Sequence, residues 1–333
     1  MRAKAIVFEA ERRVAVQEIE IPEPTEGEVV VRSTVTGVSV GTERWALTGQ
    51  RPEIKYPNVP GYLGVGVVEQ VGAGCEGYRV GDRVFFFACR LLPPHGEHSW
   101  MTTHVSRAVV PVKRGHDWPP YVCRIPDGVP DSSAAMAGLG AVAARGVDMI
   151  KVTSKDIALV LGLGMIGQGA AQVLRAKGAR VVVADMLPDR VERALEVGAD
   201  AGVVLDGGPI HPQVAAHLPA NGADIVVDTT SVAPVVQQLA DLVRMEGQVL
   251  LQGYYPGLMP FNLHDLHGKR PSVQVACAQS AESHEYVHRL IAAGMAKLEP
   301  LVTHRASPSD APEIYQMVLD KPDEFLGIVF EWA

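Results

Sequence analysis

Residues 157–167 read IALVLGLGMIG. An aliphatic run feeds directly into three glycines, Gly162, Gly164 and Gly167, spaced G-x-G-x-x-G around Leu163, Met165 and Ile166. The helical pattern AAQVLRAKG follows. Each glycine has a separate physical task in a dinucleotide site. The first permits a tight turn, the second leaves the backbone bare for a pyrophosphate, and the third lets helix and strand pack closely. The helix then presents its N-terminus to the phosphates. The next strand, RVVVAD, ends in Asp185, about 20 residues on, where a carboxylate accepts the ribose hydroxyls of NAD and repels the 2′-phosphate of NADP. Met186 follows it, and Arg190 is near enough in sequence to contact a phosphate, so NADP stays open as the lesser alternative.

Working outward, AGVVL, ADIVVDTT and GQVLLQGYY supply further strands, with a helix expected through VVQQLADLV. Strands alternating with helices predict an α/β fold with a doubly wound parallel sheet. Ligands gather beyond the carboxyl ends of such strands, which selects Thr229, Thr230 and Gly253 for the nicotinamide end. The first 125 residues have a different texture. AKAIVFEA, RVAVQEIEI, EVVVRSTVTGVSV, GVGVVEQVG and YRVGDRVFFF alternate or run β-branched, as strands do, and HSWMTTHVSRAVVPV reads as one more. A short helix is expected within GTERWALTG, and a Pro/Gly/Asp loop near Ile125 leads to a helix capped by Asp131 or Ser132. The tail offers two helices, SHEYVHRLIAAG and APEIYQMVLD, and a last strand, GIVFEW. The expected domains are 1–125, 126–270 and a return segment, 271–333.

A chain of 333 residues is long enough for two cores. Net charge is -8, which gives no support to a nucleic-acid or anionic-membrane partner. No apolar run approaches the ~20 residues that span a bilayer. The four cysteines are scattered with no C-x-x-C pair. That pattern points to a reducing, cytoplasmic setting rather than a disulfide framework.

PGYLGVGVVEQVG (60–72) with YRVGDRV, GLGMIG, and GVSVGTERWALTG (37–49) together resemble the medium-chain dehydrogenase/reductase family, over nearly the whole chain. The resemblance implies a GroES-like catalytic domain, a Rossmann domain, a small-molecule alcohol or ketone substrate, and dimers paired through Rossmann edge strands. ADIVVD and GQVLLQGYY supply apolar strands of the kind needed. Zinc alcohol dehydrogenases of that family read G-[IV]-C-G-T-D and P-G-H-E-x-x-G at the matching places. Here Val40 stands at the zinc Cys, Tyr62 at the zinc His, Leu63 at the Glu beside it, and the third ligand falls near Gly138. Zinc needs Cys, His or carboxylate donors, so no zinc is expected. His95, His98 and His104 do not complete a set by spacing. The VSVGTE stretch resembles a zinc-less group that includes the bacteriochlorophyllide dehydrogenases, which oxidise a secondary hydroxyethyl group with NAD. The expected function is therefore NAD(H)-dependent interconversion of a secondary alcohol and a ketone. The alternative is NAD(P)H-dependent reduction of a quinone or a C=C bond, although that branch usually carries an AxxGGVG glycine loop. A cofactor-binding protein that lost its chemistry along with the zinc is the third reading.

Without a metal, side chains must manage the proton. Tyr62 is either a phenol facing the reacting oxygen or an aromatic filling the space the metal left. Thr42 matches the hydroxyl that relays the proton in the zinc enzymes, or else caps the helix that follows. Glu43 is a general base or a structural partner of Arg44 or Arg83. His98 resembles the His of a family segment G-x-H-A-E-Y and titrates near neutral pH, or is a satisfied structural histidine. Trp45, Trp100, Tyr254 and Tyr255 are candidate substrate borders, each explicable as ordinary packing.

Overall fold

A computed structural model of the chain describes residues 1–95, 101–112, 122–255, 259 and 263–332. Two compact units emerge, Met1–Gly138 with Val302–Ala333, and Leu139–Leu301. The expected borders near 125 and 270 differ from these for local reasons. Asp131, at the start of a helix, accepts hydrogen bonds from Thr34 and Arg83 of the first unit. Residues 272–275 pair with the parallel sheet of the second.

The first unit opens with strands β1 (Arg2–Ala10), β2 (Arg13–Glu20) and β3 (Glu28–Gly37), then helix α1 (Val40–Leu47). Strands β4 (Leu63–Val71), β5 (Arg83–Phe86), β6 (Arg107–Pro111) and β7 (Val122–Arg124) and helix α2 (Asp131–Val147) follow. β1 and β2 form an antiparallel hairpin. The strand expected over 98–112 is confined, among the described residues, to β6. The backbone N–H groups of Thr103 and His104 donate to the carbonyls of Gly61 and Pro60, a turn, instead of to a ladder.

The second unit alternates strand and helix: β8 (Ile157–Leu161), α3 (Met165–Ala176), β9 (Arg180–Asp185), α4 (Pro188–Glu196) and β10 (Ala201–Val204). Then come α5 (Ile210–Val214), β11 (Ala223–Asp228), α6 (Ala233–Val236), α7 (Leu239–Leu242) and β12 (Val243–Leu251). It closes with α8 (Leu263–Lys269), β13 (Ser272–Val275) and α9 (Ala281–Ala292). The parallel sheet runs β10-β9-β8-β11-β12-β13. Leu159, Leu161, Val182, Ala184, Val226 and Val249 are among its buried core residues, and such near-continuous burial is what a parallel sheet covered on both faces requires. β11 and β12 are interior strands, so they are not the edges that the dimer expectation needs; the edge on that side is β13, with Val273 and Val275 exposed.

The chain then returns to the first unit as β14 (Val302–Ala306), α10 (Ala311–Asp320) and β15 (Gly327–Glu331). The main sheet of that unit runs β14-β15-β3-β4-β5-β7, with β6 also on β3. Gly37 pairs with Leu63 on one side and Val329 on the other, and Thr36 with Gly64 and Phe330. This register gathers the end of β3, the start of β4 and the C-terminal strand at one place, from which α1 departs. No helix among the described residues is long and apolar enough to cross a membrane.

Candidate active site

In the second unit the candidate cofactor residues all lie at the carboxyl ends of parallel strands or just beyond. Gly162, Leu163 and Gly164 form the turn after β8, and Met165, Ile166 and Gly167 open α3. Gly162 has φ +82°, which L side chains rarely adopt. A Cβ on Gly167 would sit 1.9 Å from the Gly162 carbonyl oxygen, whereas one on Gly164 would meet nothing within 4 Å. The turn is therefore closed on its protein side and open at Gly164. The first turn of α3 carries no acid and no side-chain cap, which leaves the positive end of the helix to a phosphate.

Asp185, the last residue of β9, is 9% exposed. One carboxylate oxygen accepts the Leu163 N–H at 2.6 Å, and the other accepts the Leu187 N–H at 2.9 Å. Asp185 thus braces the glycine turn, and each oxygen keeps a lone pair for a ribose hydroxyl. Met186 beside it is exposed. Arg190 lies in α4, half-buried, its carbonyl accepting from Gln168. The Thr229 hydroxyl donates to the Gly162 carbonyl at 2.8 Å, tying the end of β11 to the turn. Thr230 donates through its hydroxyl to the wholly buried Asp228 at 2.7 Å, and Tyr255 donates to the other oxygen of the same carboxylate. Burial pushes the Asp228 carboxyl above its usual value, against the hydrogen bonds from Tyr255 and Thr230. The Gly253 N–H reaches the Asp228 carbonyl at 3.2 Å. Turn geometry, open approach and donor set fit a nicotinamide dinucleotide.

The first unit holds the other half of the candidate set. Tyr62 is 7% exposed, and its phenol lies 2.6 Å from the Ser39 hydroxyl. Burial raises the phenol pKa, partly offset by hydrogen bonds with Ser39 and Thr42. Thr42 is not a helix cap. α1 begins at Val40 with Ser39 in the capping position, and Ser39 makes no capping hydrogen bond because its hydroxyl is used on Tyr62.

Glu43 is fully buried and makes neither of the expected arginine contacts; Arg83 binds Asp131 and the Val129 carbonyl instead. Its carboxylate accepts the Ser39 N–H at 2.7 Å and the Tyr315 hydroxyl, and lies 3.1 Å from His104 Nε2. His104 Nδ1 lies 2.7 Å from Thr36 Oγ1, which also accepts the indole N–H of Trp332 at 2.9 Å. Thr36 therefore has its own hydrogen left for Nδ1, and Nε2–H points at Glu43. The buried carboxylate is satisfied by three donors, from Ser39 just before α1, the 101–105 segment and α10. Burial and the neighbouring Glu43 hold the Tyr315 phenol well above its usual pKa. Ser39, His104, Tyr315 and Trp332 were not marked as site residues by sequence. The one available signal was Ser39, a polar residue where the resembled pattern has Ile or Val. His98 and Trp100 lie outside the described residues.

Val40 and Gly138 carry no metal-ligating side-chain atom, and the Tyr62 phenol, whose pKa burial raises, is bonded to Ser39. These positions do not fit a catalytic zinc.

Two family descriptions match the chain: an alcohol dehydrogenase GroES-like domain over residues 25–130 and a zinc-binding dehydrogenase domain over residues 165–293. The chain belongs to the medium-chain dehydrogenase/reductase family. It is 27% identical over 338 residues to 2-desacetyl-2-hydroxyethyl bacteriochlorophyllide A dehydrogenase of Cereibacter sphaeroides, covering 100% of this chain and 99% of the relative. It is 28% identical over 319 residues to the starvation-sensing protein RspB of Escherichia coli, covering 90% and 91%. A crystal structure of RspB from Escherichia coli complexed with NADH superposes with a TM-score of 0.86 at 25% identity, covering 99% of each chain. As a member of this family the chain is an oxidoreductase that uses a nicotinamide cofactor, on a GroES-like plus Rossmann fold.

Proposed function

We propose that this oxidoreductase interconverts a secondary alcohol and a ketone with NAD(H), without zinc, and that Tyr62 handles the proton. The observation that carries the reading is the buried Tyr62 phenol, bonded to Ser39, at the position where the zinc enzymes place a ligand His. Nicotinamide, when bound, supplies the hydride chemistry. Because burial raises the Tyr62 pKa, the phenol is protonated at neutral pH. That is the form that donates to a carbonyl oxygen, so the site is set for ketone reduction. Thr42 and His98 are the further proton-handling candidates. Glu43 acts through Ser39 as a positioning residue. Asp185 supports NAD over NADP, since a 2′-phosphate would approach its carboxylate.

The wording of the glycine turn, GLGMIG, favours this reading over a quinone or C=C reductase. The exposed edge strand β13 supports a homodimer, and four free cysteines support a cytoplasmic setting. The test is NADH consumption with a panel of cyclic and acyclic ketones, compared between the wild type and Tyr62→Phe. Removal of a general acid lowers kcat by roughly 10²–10⁴-fold, with NADH affinity unchanged. An unaltered kcat overturns the role of Tyr62, and turnover confined to enones or quinones overturns the reaction class.

A further inference from the structure

We infer that Ser39 is a positioning residue for the proton step, its hydroxyl donating to the Tyr62 oxygen and steadying the phenolate left when Tyr62 gives up its proton. This rests on the proposed role of Tyr62. Ser39 is 4% exposed, and its hydroxyl has the phenol as its hydrogen-bond partner among the described residues, at 2.6 Å. A serine at the start of a helix ordinarily caps it, yet this one makes no capping bond. Its backbone is fixed from both directions. The Ser39 N–H donates to the Glu43 carboxylate at 2.7 Å, and the Ser39 carbonyl accepts the Glu43 N–H at 2.8 Å. With the backbone held, the hydroxyl is aimed at one atom.

The direction of that hydrogen bond follows from counting hydrogens. A phenol has one. When it is turned toward a substrate oxygen, the Ser39–Tyr62 contact survives only with Ser39 as donor. In ketone reduction the carbonyl carbon takes a hydride, the Tyr62 O–H bond breaks, and a new O–H bond forms on the substrate. The electron pair stays on the phenolate, which accepts from Ser39, and water later returns the proton. A hydrogen bond to a charged group outweighs one to a neutral group, so Ser39 helps the transition state more than the resting state. Among the described residues, the charged groups that bear on the phenol include Glu43 on α1, which opposes ionisation, and Arg51, which favours it. His104 lies beneath Gly61. Phe87 packs on the ring as an apolar wall.

The experiment uses the full chain labelled with 3-fluorotyrosine. The Tyr62 fluorine resonance is identified by its loss in Tyr62→Phe and titrated in the wild type, Ser39→Ala and Ser39→Thr. The inference predicts that Ser39→Ala titrates at higher pH and that Ser39→Thr, which keeps a hydroxyl, returns toward the wild type. Ketone turnover by Ser39→Ala should fall about ten-fold, as expected for one lost hydrogen bond to a charged group. Identical titrations for the wild type and Ser39→Ala overturn the inference. If Tyr62→Phe reduces ketone as fast as the wild type, the reading of Tyr62 itself fails, and Ser39 has no proton step to serve. Slow Tyr62→Phe with an unmoved Ser39→Ala titration removes Ser39 alone.

Discussion

Glu43→Gln separates a structural carboxylate from a chemical one. Glu43 is fully buried, and Ser39 N–H, Tyr315 O–H and His104 Nε2 all converge on its two oxygens. An amide of the same shape presents one oxygen and one NH₂ group. Whichever way it is turned, at least one buried donor faces another donor. Each stranded donor costs about 1–3 kcal/mol, and with the loss of charge assistance the total is roughly 3 kcal/mol. For a unit of this size that is a fall in Tm of about 6–12 °C, at 2–4 °C per kcal/mol. The assay is thermal unfolding by circular dichroism at neutral pH, with Tyr315→Phe and the double variant completing a cycle. Because both residues serve one network, the effects should be non-additive. A Tm change of less than about 2 °C combined with complete loss of ketone turnover would refute the structural assignment and make Glu43 a reacting group.

Gly167→Ala places a Cβ against the Gly162 carbonyl, a backbone atom that cannot turn aside; NADH affinity measured by calorimetry should fall at least ~100-fold, about 2.7 kcal/mol. Asp185→Asn should weaken NADH and narrow its advantage over NADPH, and should lower Tm slightly, because the carboxylate also braces Leu163 and Leu187. Asp228 has a raised pKa from burial, so the folded state binds its proton more tightly than the unfolded chain. Its stabilising contribution is greatest below the ordinary aspartate value of 3.8 and is lost as pH rises through the higher folded value. Melting curves between acid and neutral pH should show this slope in the wild type and a flatter one in Asp228→Asn.

The cofactor half was legible because its rules are local. A strand, three glycines, a helix and an acid at the end of the next strand lie within one short run, and each glycine has its own geometric reason. The proposed proton-handling half was only partly legible. Tyr62 stands out in a turn of small residues, but its partner Ser39 is 23 positions away, and Tyr315 meets Glu43 across 272. Nothing in the spacing of Glu43, His104 and Tyr315 predicts that they converge, because they lie on α1, the 101–105 segment and α10, far apart in the chain. Strand β13 was missed because four residues, SVQV, three of them exposed, carry little pattern. Thr42 reads as a cap from composition, and only the structure shows the helix starting earlier at Val40.

The central claim is a nicotinamide oxidoreductase that prefers NAD and works without zinc. Calorimetric titration of the purified protein with NADH and with NADPH, with metal analysis of the same sample before and after chelation, tests it most directly. The account predicts micromolar NADH binding, at least about ten-fold weaker NADPH binding, a difference of ~1.4 kcal/mol, and no stoichiometric zinc at either stage. One zinc per chain before chelation, or a preference for NADPH, would contradict it.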